Sequence, residues 1–302
     1  MEPQEAYRQI LNEVKKKISG KSEVIELMVI AMVANGHVLL EGVPGVAKTT
    51  MTKTLADAVT AQFSRIQGTP DLEIRDIIGY TYVDEHNELQ LKKGPIFTNI
   101  LLIDELNRAP PKTTTALLEA LEERQVTLAN DTRKLMNPFI AFATQNPLNI
   151  EGTTPLPKVL ADRFLMRIAV TYPTMEEEEQ MLRIKERDEQ ITVSKVIDTK
   201  GILEMQSKLS QISMPDSVVE YIAKIVNATR TDIHVVMGAS PRAEIAFMRC
   251  AKAKALIEGK KEVAIDDIKF LARPVLSHRI VVKSTGGLGV NGIIDGIVAT
   301  VR

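Results

Sequence analysis

Apolar residues in the first half of the chain fall into short runs, separated by longer stretches with helical spacing. The first helical stretch places Tyr7, Ile10, Leu11, Val14 and Ile18 on one face. Five later runs are almost wholly apolar, which is typical of short strands that are buried on both faces of a sheet. These runs cover residues 37–42, 62–66, 100–105, 139–145 and 167–172. Strands that alternate with helices predict an α/β sandwich around a parallel five-stranded sheet.

The strand pattern ends at Tyr172, and only helical patterns follow it. Thr174 and Glu177 have the spacing of a capping box, which indicates the start of a helix. A chain of this length has room for two domains. We therefore expect an α/β domain over residues 1–172 and a small all-helical domain over residues 173–302.

Two further helices are predicted in the second domain, over residues 215–230 and 241–258. Ser240 has the place of the cap of the second helix, and Gly259 has the place of its stop. Between Thr174 and about residue 280 we expect helices only. The tail predicts a loop and then a last short helix; the loop contains Gly286, Gly287 and Gly289.

Two polar stretches inside the first domain alternate like paired strands rather than helices. They cover residues 81–92 and 125–135, with turn residues at 85–87 and at 130–131. Each pattern predicts a β-hairpin that lies outside the main sheet.

The composition argues against nucleic acid or an anionic membrane as the main partner. Among 302 residues, 38 are Lys or Arg and 39 are Asp or Glu, so the net charge is −1. Overall charge therefore supplies no affinity for polyanions. With 7 Phe, 5 Tyr and no Trp, the chain also offers few aromatic rings on which single-stranded bases could stack.

The sequence favours a cytoplasmic protein without a membrane span. The amino terminus MEPQEAYRQ is acidic and polar, whereas signal peptides begin basic and continue apolar. The apolar run over residues 27–34 is far shorter than the ~18 residues that suggest a membrane span. The single cysteine, Cys250, cannot form an internal disulfide. The four histidines lack the spacing of a zinc site, so we expect no transition metal.

The first predicted strand is followed by the loop GVPGVAKT and then by a helical pattern, the context that a phosphate-binding loop requires. Gly42 and Gly45 would let backbone N–H groups point at phosphates, Lys48 would neutralise them, and Thr49 would ligate Mg2+. Ala47 stands where the usual pattern has a glycine, so we expect its methyl group to fit without a positive φ angle. The residues predicted to bind nucleotide in this loop are Gly42, Val43, Pro44, Gly45, Val46, Ala47, Lys48, Thr49 and Thr50.

Polar residues also end two of the other predicted strands. Asp104 and Glu105 close the strand over residues 100–105, and Asn146 follows the strand over residues 139–145. One acid can assist a metal, a second can activate water, and an amide can orient that water. Because ligands of open α/β sheets bind at the carboxyl ends of strands, these residues are predicted to meet Lys48 there. A strand could end in two acids without function, so the combination is what indicates nucleotide hydrolysis.

Several segments of the chain resemble the MoxR group of AAA+ ATPases, close to the magnesium-chelatase and helix-2-insert branches. The resemblance spans about residues 15–280, and its most specific part lies between Gly94 and Glu123. The matching segments are GVPGVAKTT, QGTPDL, GPIFTNILLIDELNRAPPKTTTALLEALEE, ATQNP, EGTTPLP, DRFLM and GASPRA. The family carries alanine before the loop lysine, so Ala47 agrees with it.

The resemblance implies a role for the polar residues at the strand ends. Lys48 and Thr49 match Walker A, and Asp104 and Glu105 match Walker B. Thr49 and Asp104 would hold Mg2+, partly through water, and Glu105 would act as the catalytic base. Asn146 matches sensor 1. ATP and Mg2+ are the implied cofactors.

The resemblance also assigns three arginines. Arg163 resembles the arginine finger that reaches a neighbour's γ-phosphate. Arg242 resembles sensor 2 of the helical lid, which would act with Lys48 on the γ-phosphate bound to its own chain. Arg108 is expected to face an adjacent subunit. As alternatives, Arg163 could form a surface pair with Asp162, and Arg242 could cover its helix end. A cation at a positive helix start needs an anion to balance it, which favours a phosphate near Arg242.

Two places depart from the family pattern. Lys158 replaces an acid and Ala161 replaces a leucine just before Arg163, which leaves the detail of the subunit contact there open. Residues 73–75 are Glu-Ile-Arg where the family has Leu-Pro-Ser. By resemblance the two hairpins are inserts that face the ring's pore or its client.

These observations predict an ATP-dependent, chaperone-like motor that forms a homo-oligomer, by resemblance a hexameric ring. Its clients would be proteins or metal-cofactor assemblies, and the resemblance adds a von Willebrand factor A-type domain protein as a partner. Three alternatives stay open: a nucleic-acid motor of the helicase type, a metal-chelatase subunit, and a nucleotide-sensing scaffold with little turnover.

Overall fold

The computed structural model describes residues 1–128, 131–146, 154–186, 191–283 and 289–301. Its strands are β1 Val38–Glu41, β2 Phe63–Gln67, β3 Gly79–Val83, β4 Leu89–Lys93, β5 Ile100–Asp104, β6 Gln125–Leu128, β7 Asp131–Lys134, β8 Ile140–Gln145, β9 Met166–Ala169, β10 Val235–Met237 and β11 Val281–Val282. Its α-helices are α1 Pro3–Lys17, α2 Ser22–Val33, α3 Lys48–Ala58, α4 Ile74–Ile78, α5 Pro111–Glu123, α6 Lys158–Ala161, α7 Met175–Glu186, α8 Thr199–Lys208, α9 Asp216–Thr231, α10 Pro241–Ile257, α11 Ile265–Leu276 and α12 Val290–Thr300.

The five apolar runs form one sheet in the order β2-β5-β8-β1-β9, and all its neighbouring strands are parallel. This confirms the predicted fold class. Glu41 pairs with Gln145 and Ala169, while Asp104 pairs with Gln67. The segments that follow these strands therefore leave the sheet at one common edge.

Successive residues of the central strands pack into two different apolar cores. Leu40 and Leu102 belong to the core that also contains α1, α2 and the later helices. Leu39 and Leu101 belong to the core on the opposite face, under α5. This alternation follows from the pleat of a strand, and burial on both faces explains the continuous apolar runs.

The helical region after β9 is joined to the sheet through the segment that precedes β9. Arg279 Nε donates to Asp162 Oδ1 at 3.0 Å, and Ser240 Oγ donates to Asp162 Oδ2 at 3.0 Å. His278 Nε2 lies 2.9 Å from the carbonyl oxygen of Phe164. These contacts hold α10 and α11 against the sheet.

The predicted helix caps are confirmed. Thr174 and Glu177 exchange the two hydrogen bonds of a capping box, at 3.0 and 3.3 Å. The Ser240 side chain accepts a bond from the backbone N–H of Arg242, and Gly259 has a φ angle of 75° just after α10. The Gly conformation ends the helix without the steric cost of a Cβ atom.

Both hairpins are confirmed as antiparallel pairs, β3 with β4 and β6 with β7. The turn predicted at Asn130 lies outside the described residues, as do Gly286 and Gly287 of the tail. Gly289 caps α12, which is the predicted last helix.

The expectation of helices alone after Tyr172 was wrong in one place. β10 and β11 pair antiparallel and bring the segment after α9 next to the segment after α11. Each strand is three residues or fewer, too short for a periodic pattern. In the part of the chain that the structure describes, no helix has the length and apolar character needed to cross a membrane.

Removal of Arg279 should weaken the attachment of the helices to the sheet. Its buried guanidinium also donates to the carbonyl oxygens of Phe164 and Leu165. Arg279→Leu removes the buried cation beside Asp162, which keeps only the bond from Ser240, and the donor to the Leu165 carbonyl, so we expect a loss of about 3 kcal/mol in the free energy of unfolding. Urea denaturation measures it. Arg273→Ala, which breaks an exposed pair with Asp295, should cost less than about 1 kcal/mol. Equal effects of the two variants would contradict this role.

Candidate active site

Residues 42–47 connect β1, which neighbours the central strand β8, to α3 and form a narrow loop beside β9. A Cβ atom on Gly42 would lie 2.3 Å from the carbonyl oxygen of Val170, so only glycine fits there. Gly45 has a φ angle of 86°, which favours glycine. Lys48 then starts α3 directly. The strand, loop and helix lie in the order that a phosphate-binding loop requires.

Ala47 departs from our expectation. Its φ angle is 62° and its ψ angle is 21°, the left-handed conformation that the sequence argument had excluded for a methyl-bearing residue. Such a conformation costs about 1–2 kcal/mol in a non-glycine residue. The tight turn into α3 imposes this conformation, because Ala47 is the N-cap residue of α3. Its carbonyl oxygen already accepts the helical hydrogen bond from the Met51 N–H at 2.9 Å.

Lys48 folds back across the loop. Its Nζ donates to the carbonyl oxygen of Val43 at 3.0 Å and also to that of Gly42. Burial lowers the pKa of Lys48, although the carboxylates of Asp104, Glu105 and Glu41 oppose this effect. A phosphate beside Nζ would act like these carboxylates, raise the pKa of Lys48 and favour its charged form.

Asp104 is held by three hydrogen bonds at the end of β5. Its Oδ2 accepts from Thr49 Oγ1 at 3.0 Å and from Arg65 Nη2 at 2.7 Å. Its Oδ1 accepts from Thr144 Oγ1 at 2.6 Å. Burial raises the pKa of Asp104, but the bonds from Thr144, Thr49 and Arg65 outweigh burial and keep it below its usual value. The carboxylate is therefore ionised and fixed in direction.

Glu105 lies next to it in a strained backbone conformation, with a φ angle of 53°. Its backbone N–H donates to Thr144 Oγ1 at 2.8 Å. Its Oε2 accepts from Arg108 Nη1 at 2.8 Å and from Gln67 Nε2 at 3.2 Å. Arg108, which we expected to face another subunit, thus contacts the carboxylate of its own chain.

Asn146 directly follows β8, between β5 and β1 in the sheet. Its carbonyl oxygen accepts a bond from Asn107 Nδ2 at 3.3 Å. Asn146 therefore shares the carboxyl edge of the sheet with Lys48, Asp104 and Glu105, as the sequence predicted.

A cavity of about 560 Å³ adjoins the loop on the side of β9. It lies between the start of α2, the end of β9 and the end of α11, and Glu41 is the lining residue next to the loop. Among its lining residues are Lys21, Glu41, Tyr172 and Arg273. The volume falls within the range of small-molecule sites.

Arg163 and Arg242 lie together, but at a different edge. Arg163 Nε donates to Glu122 Oε2 at 2.7 Å, and Arg242 Nη2 donates to Glu122 Oε1 at 2.5 Å. All three residues line a cavity of about 350 Å³ with His37, which immediately precedes β1. Arg163 is thus paired with Glu122, and not with Asp162 as the alternative interpretation had it.

The structure places Arg242 elsewhere than expected. His37 and Gly42 mark the two ends of β1, which at ~3.3 Å per residue lie about 16 Å apart. The loop is at the carboxyl edge of the sheet, whereas Arg242 and Arg163 are at the amino edge. The anion that balances Arg242 at the start of α10 is Glu122, so its position does not require a phosphate of the same chain.

Comparisons with known proteins agree with this geometry. Residues 37–166 match the model of an ATPase family associated with various cellular activities (AAA), and residues 227–288 match the AAA lid domain. The chain is 40% identical to Chaperone MoxR1 of Mycobacterium tuberculosis, over 89% of this chain and 74% of that protein. It is also 40% identical to the protein YeaC of Bacillus subtilis, over 96% and 92% of the two chains.

The chain belongs to the MoxR family of AAA+ ATPases. A crystal structure from Cytophaga hutchinsonii, presented as that of a candidate ATPase, superimposes on it with a TM-score of 0.92. That protein is 37% identical, and the match covers 99% of this chain and 95% of the other. The predicted family and enzyme class are therefore confirmed.

The residues around Asp104 suit Mg2+ in this MoxR-family ATPase. The Thr49 hydroxyl and the Asp104 carboxylate are hard oxygen donors 3.0 Å apart, which Mg2+ prefers. Within the described residues, no group of three or more His, Cys, Asp or Glu side chains could form a metal cage. Mg2+ sites that are completed by water and phosphate oxygens need only one or two protein ligands.

Sequence reasoning missed four residues of this ATPase. Thr144, Arg65 and Gln67 form hydrogen bonds with Asp104 or Glu105, and Glu122 joins the two arginines. Thr144 lies in a segment that the family resemblance covers, but its apolar neighbours made it look like a core residue. Only the register of β5 against β8 and β2 shows that these side chains meet.

Lys48 and Glu105 should fail at different steps. Lys48→Ala removes the cation that we expect to contact the phosphates of ATP, so we expect ATP binding to be lost. Glu105→Gln keeps the shape of the side chain but cannot accept a proton, so we expect binding without hydrolysis. Binding of a fluorescent ATP analogue and release of phosphate measure the two steps. If both variants bound and hydrolysed ATP like the parent, the site would be misassigned.

Thr144→Val should leave ATP binding intact and slow hydrolysis. The change keeps the shape but removes the hydroxyl that bonds both Asp104 Oδ1 and the Glu105 N–H. The loss of such positioning can cost about 10²-fold in rate. Thr144→Ser, which keeps the hydroxyl, is the matched control and should stay within a few-fold of the parent. Equal turnover in the Val and Ser variants would show that the hydroxyl is not needed.

Proposed function

We propose that the chain is a Mg2+-dependent ATPase that works as a ring and remodels protein clients or metal-cofactor assemblies. One observation carries this proposal. The residues suited to bind and hydrolyse ATP occupy the carboxyl edge of the sheet, whereas both arginines suited to stabilise the transition state occupy the amino edge. A complete site therefore needs the amino edge of a second copy.

Within one chain, we assign the chemistry to the carboxyl edge. The loop over residues 42–50 and Lys48 bind the phosphates. Bound through Thr49 and Asp104, Mg2+ supplies charge neutralisation at the phosphate oxygens. Glu105 removes a proton from the attacking water, and Asn146 orients that water.

The neighbouring chain supplies Arg163 and Arg242. An arginine that reaches the transferred phosphoryl group stabilises the charge that develops there, which is worth about 10³–10⁵ in rate. We had expected Arg242 to act on the phosphates of its own chain. Its shared contact with Glu122 supports the same neighbour for both arginines.

The cavity of about 560 Å³ beside the loop is the place that we propose for the adenosine part of ATP. It is bounded by the sheet and by helices on both sides of Tyr172. We propose a division at this residue into a nucleotide-binding domain, residues 1–172, and a lid, residues 173–302. Nucleotide in a cavity shared by both would couple hydrolysis to a tilt of the lid.

The hairpin β3–β4 is the proposed contact with clients. Tyr80 and Tyr82 are exposed, and Lys92 lies 5.5 Å from the ring of Tyr80. Exposed aromatic rings next to a cation are suited to bind extended protein segments. The name Chaperone MoxR1 of a relative supports a protein client. We propose a hexameric ring in the cytoplasm, and a von Willebrand factor A-type domain protein as a partner.

The alternative of a nucleic-acid motor depends on Arg133 and Lys134 of the hairpin β6–β7, both of which are exposed. The Arg133 guanidinium is 2.5 Å from Asp131. Such a pair has little free charge for phosphates of a nucleic acid.

Two inactive variants should restore activity to each other if the site is shared. Arg163→Ala should bind ATP normally but hydrolyse it 10³-fold or more slowly, in the order of magnitude of an arginine finger. Glu105→Gln lacks the other half of the site. In mixed rings, an intact Glu105 meets an intact Arg163 at some interfaces, so phosphate release should recover and should vanish on dilution.

A mixture of Glu105→Gln with Lys48→Ala is the control, because both changes lie on the same edge and no interface is complete. Sizing must show that the variants form mixed oligomers. If mixed rings of Arg163→Ala and Glu105→Gln stay inactive, Arg163 does not act on a neighbour.

A further inference from the structure

Glu122 lies in the last turn of α5, and its side chain contacts both Arg163 and Arg242. Its two carboxylate oxygens are divided between them, Oε2 on Arg163 at 2.7 Å and Oε1 on Arg242 at 2.5 Å. The two partners come from separate parts of the chain, 41 and 120 residues after Glu122. One side chain thus sets the spacing between the arginines.

The last turn of a helix is an unfavourable position for an acid. A carboxylate near the carboxyl end of a helix faces the negative end of the helix dipole. Glu122 therefore does not stabilise α5 by its charge. The bonds from Arg242 and Arg163 lower the pKa of Glu122, although burial opposes them. These two partners therefore keep the side chain ionised to a lower pH than that of a free glutamate.

The side chains around Glu122 carry an excess of positive charge. Five arginines and two carboxylates line the cavity at this edge. Two of the arginines, Arg124 and Arg249, donate to the carbonyl oxygen of Asn35 beyond the end of α2. Arg242 Nε also lies 3.9 Å from Asp162 Oδ2, but Asp162 already accepts from Arg279 and Ser240. Without Glu122, Arg163 and Arg242 would therefore be like charges with no shared anion between them, and they would move apart.

A guanidinium carries five N–H groups in a planar fork. Each arginine can therefore keep one edge on Glu122 while it turns another toward a phosphate. The bonds to Glu122 use Nε of Arg163 and Nη2 of Arg242, and Nη1 of Arg163 is fixed by the Val159 carbonyl at 2.7 Å.

We propose that Glu122 is a positioning residue for the hydrolysis of ATP bound to the neighbouring subunit. It holds Arg163 and Arg242 as one unit, so that both reach the same phosphate. This inference rests on the proposed function, because it requires that the arginines act on a neighbour.

Glu122→Ala should lower kcat by about 10²-fold, the order of magnitude expected when a catalytic group is misplaced. Binding of a fluorescent ATP analogue should stay within about twofold, because Glu122 is not at the phosphate loop of its own chain. Glu122→Gln keeps the shape and loses the charge, so its kcat should fall between those of the parent and the Ala variant. Glu123→Ala removes the same charge from the adjacent exposed position, where Glu123 contacts Gln125, and should behave like the parent.

Mixing separates a positioning role from a structural one. Glu122→Ala mixed with Glu105→Gln should recover activity, because the defects lie on opposite sides of the interface. Glu122→Ala mixed with Arg163→Ala should not recover, because both defects lie on the same side. Should the Ala variant fail to fold or to assemble, the Gln variant is mixed in the same two ways.

Turnover of Glu122→Ala and Glu122→Gln equal to that of Glu123→Ala would overturn the inference, and so would recovery in the mixture with Arg163→Ala. Failure of the proposed function looks different. In that case Arg163→Ala and Glu105→Gln themselves do not complement, whatever the Glu122 variants do.

Discussion

The arrangement of the candidate site residues in this ATPase depends on the distance between the two edges of one parallel sheet. All five strands run in the same direction, so the phosphate loop, Asp104 and Glu105 share the carboxyl edge. Arg163 and Arg242 lie at the amino edge, about 16 Å away along β1 at ~3.3 Å per residue. That separation is longer than an arginine side chain. The fold therefore holds the two halves of the proposed site apart, and in our proposal a second copy brings them together.

Each edge is organised by one polar side chain that contacts two functional residues. At the carboxyl edge, the Thr144 hydroxyl accepts from the Glu105 N–H and donates to Asp104, so one side chain orients both acids. At the amino edge, the Glu122 carboxylate joins both arginines. α5 connects the two edges, because it begins just after Glu105 and ends just after Glu122. A displacement of one end of α5 would therefore also move the other end.

The sequence predicted what depends on periodicity and local motifs. Strands buried on both faces appear as continuous apolar runs, so the sheet and its polar carboxyl edge could be read directly, and Thr174 and Ser240 identified their helices. Contacts between distant segments could not be predicted in this way. Thr144 looks like part of an apolar strand, and Glu122 looks like one of several acids on an exposed helix face. Ala47 shows a further limit of local rules, since the turn into α3 imposes a conformation that its residue type disfavours.

The most direct test of the shared site is a structure of the assembled Glu105→Gln protein with Mg2+ and ATP. The account predicts that the guanidinium groups of Arg163 and Arg242 of one subunit lie within hydrogen-bonding distance of the γ-phosphate bound to the next subunit, with Glu122 between them. A γ-phosphate that is contacted only by residues of the chain that binds it would contradict the account.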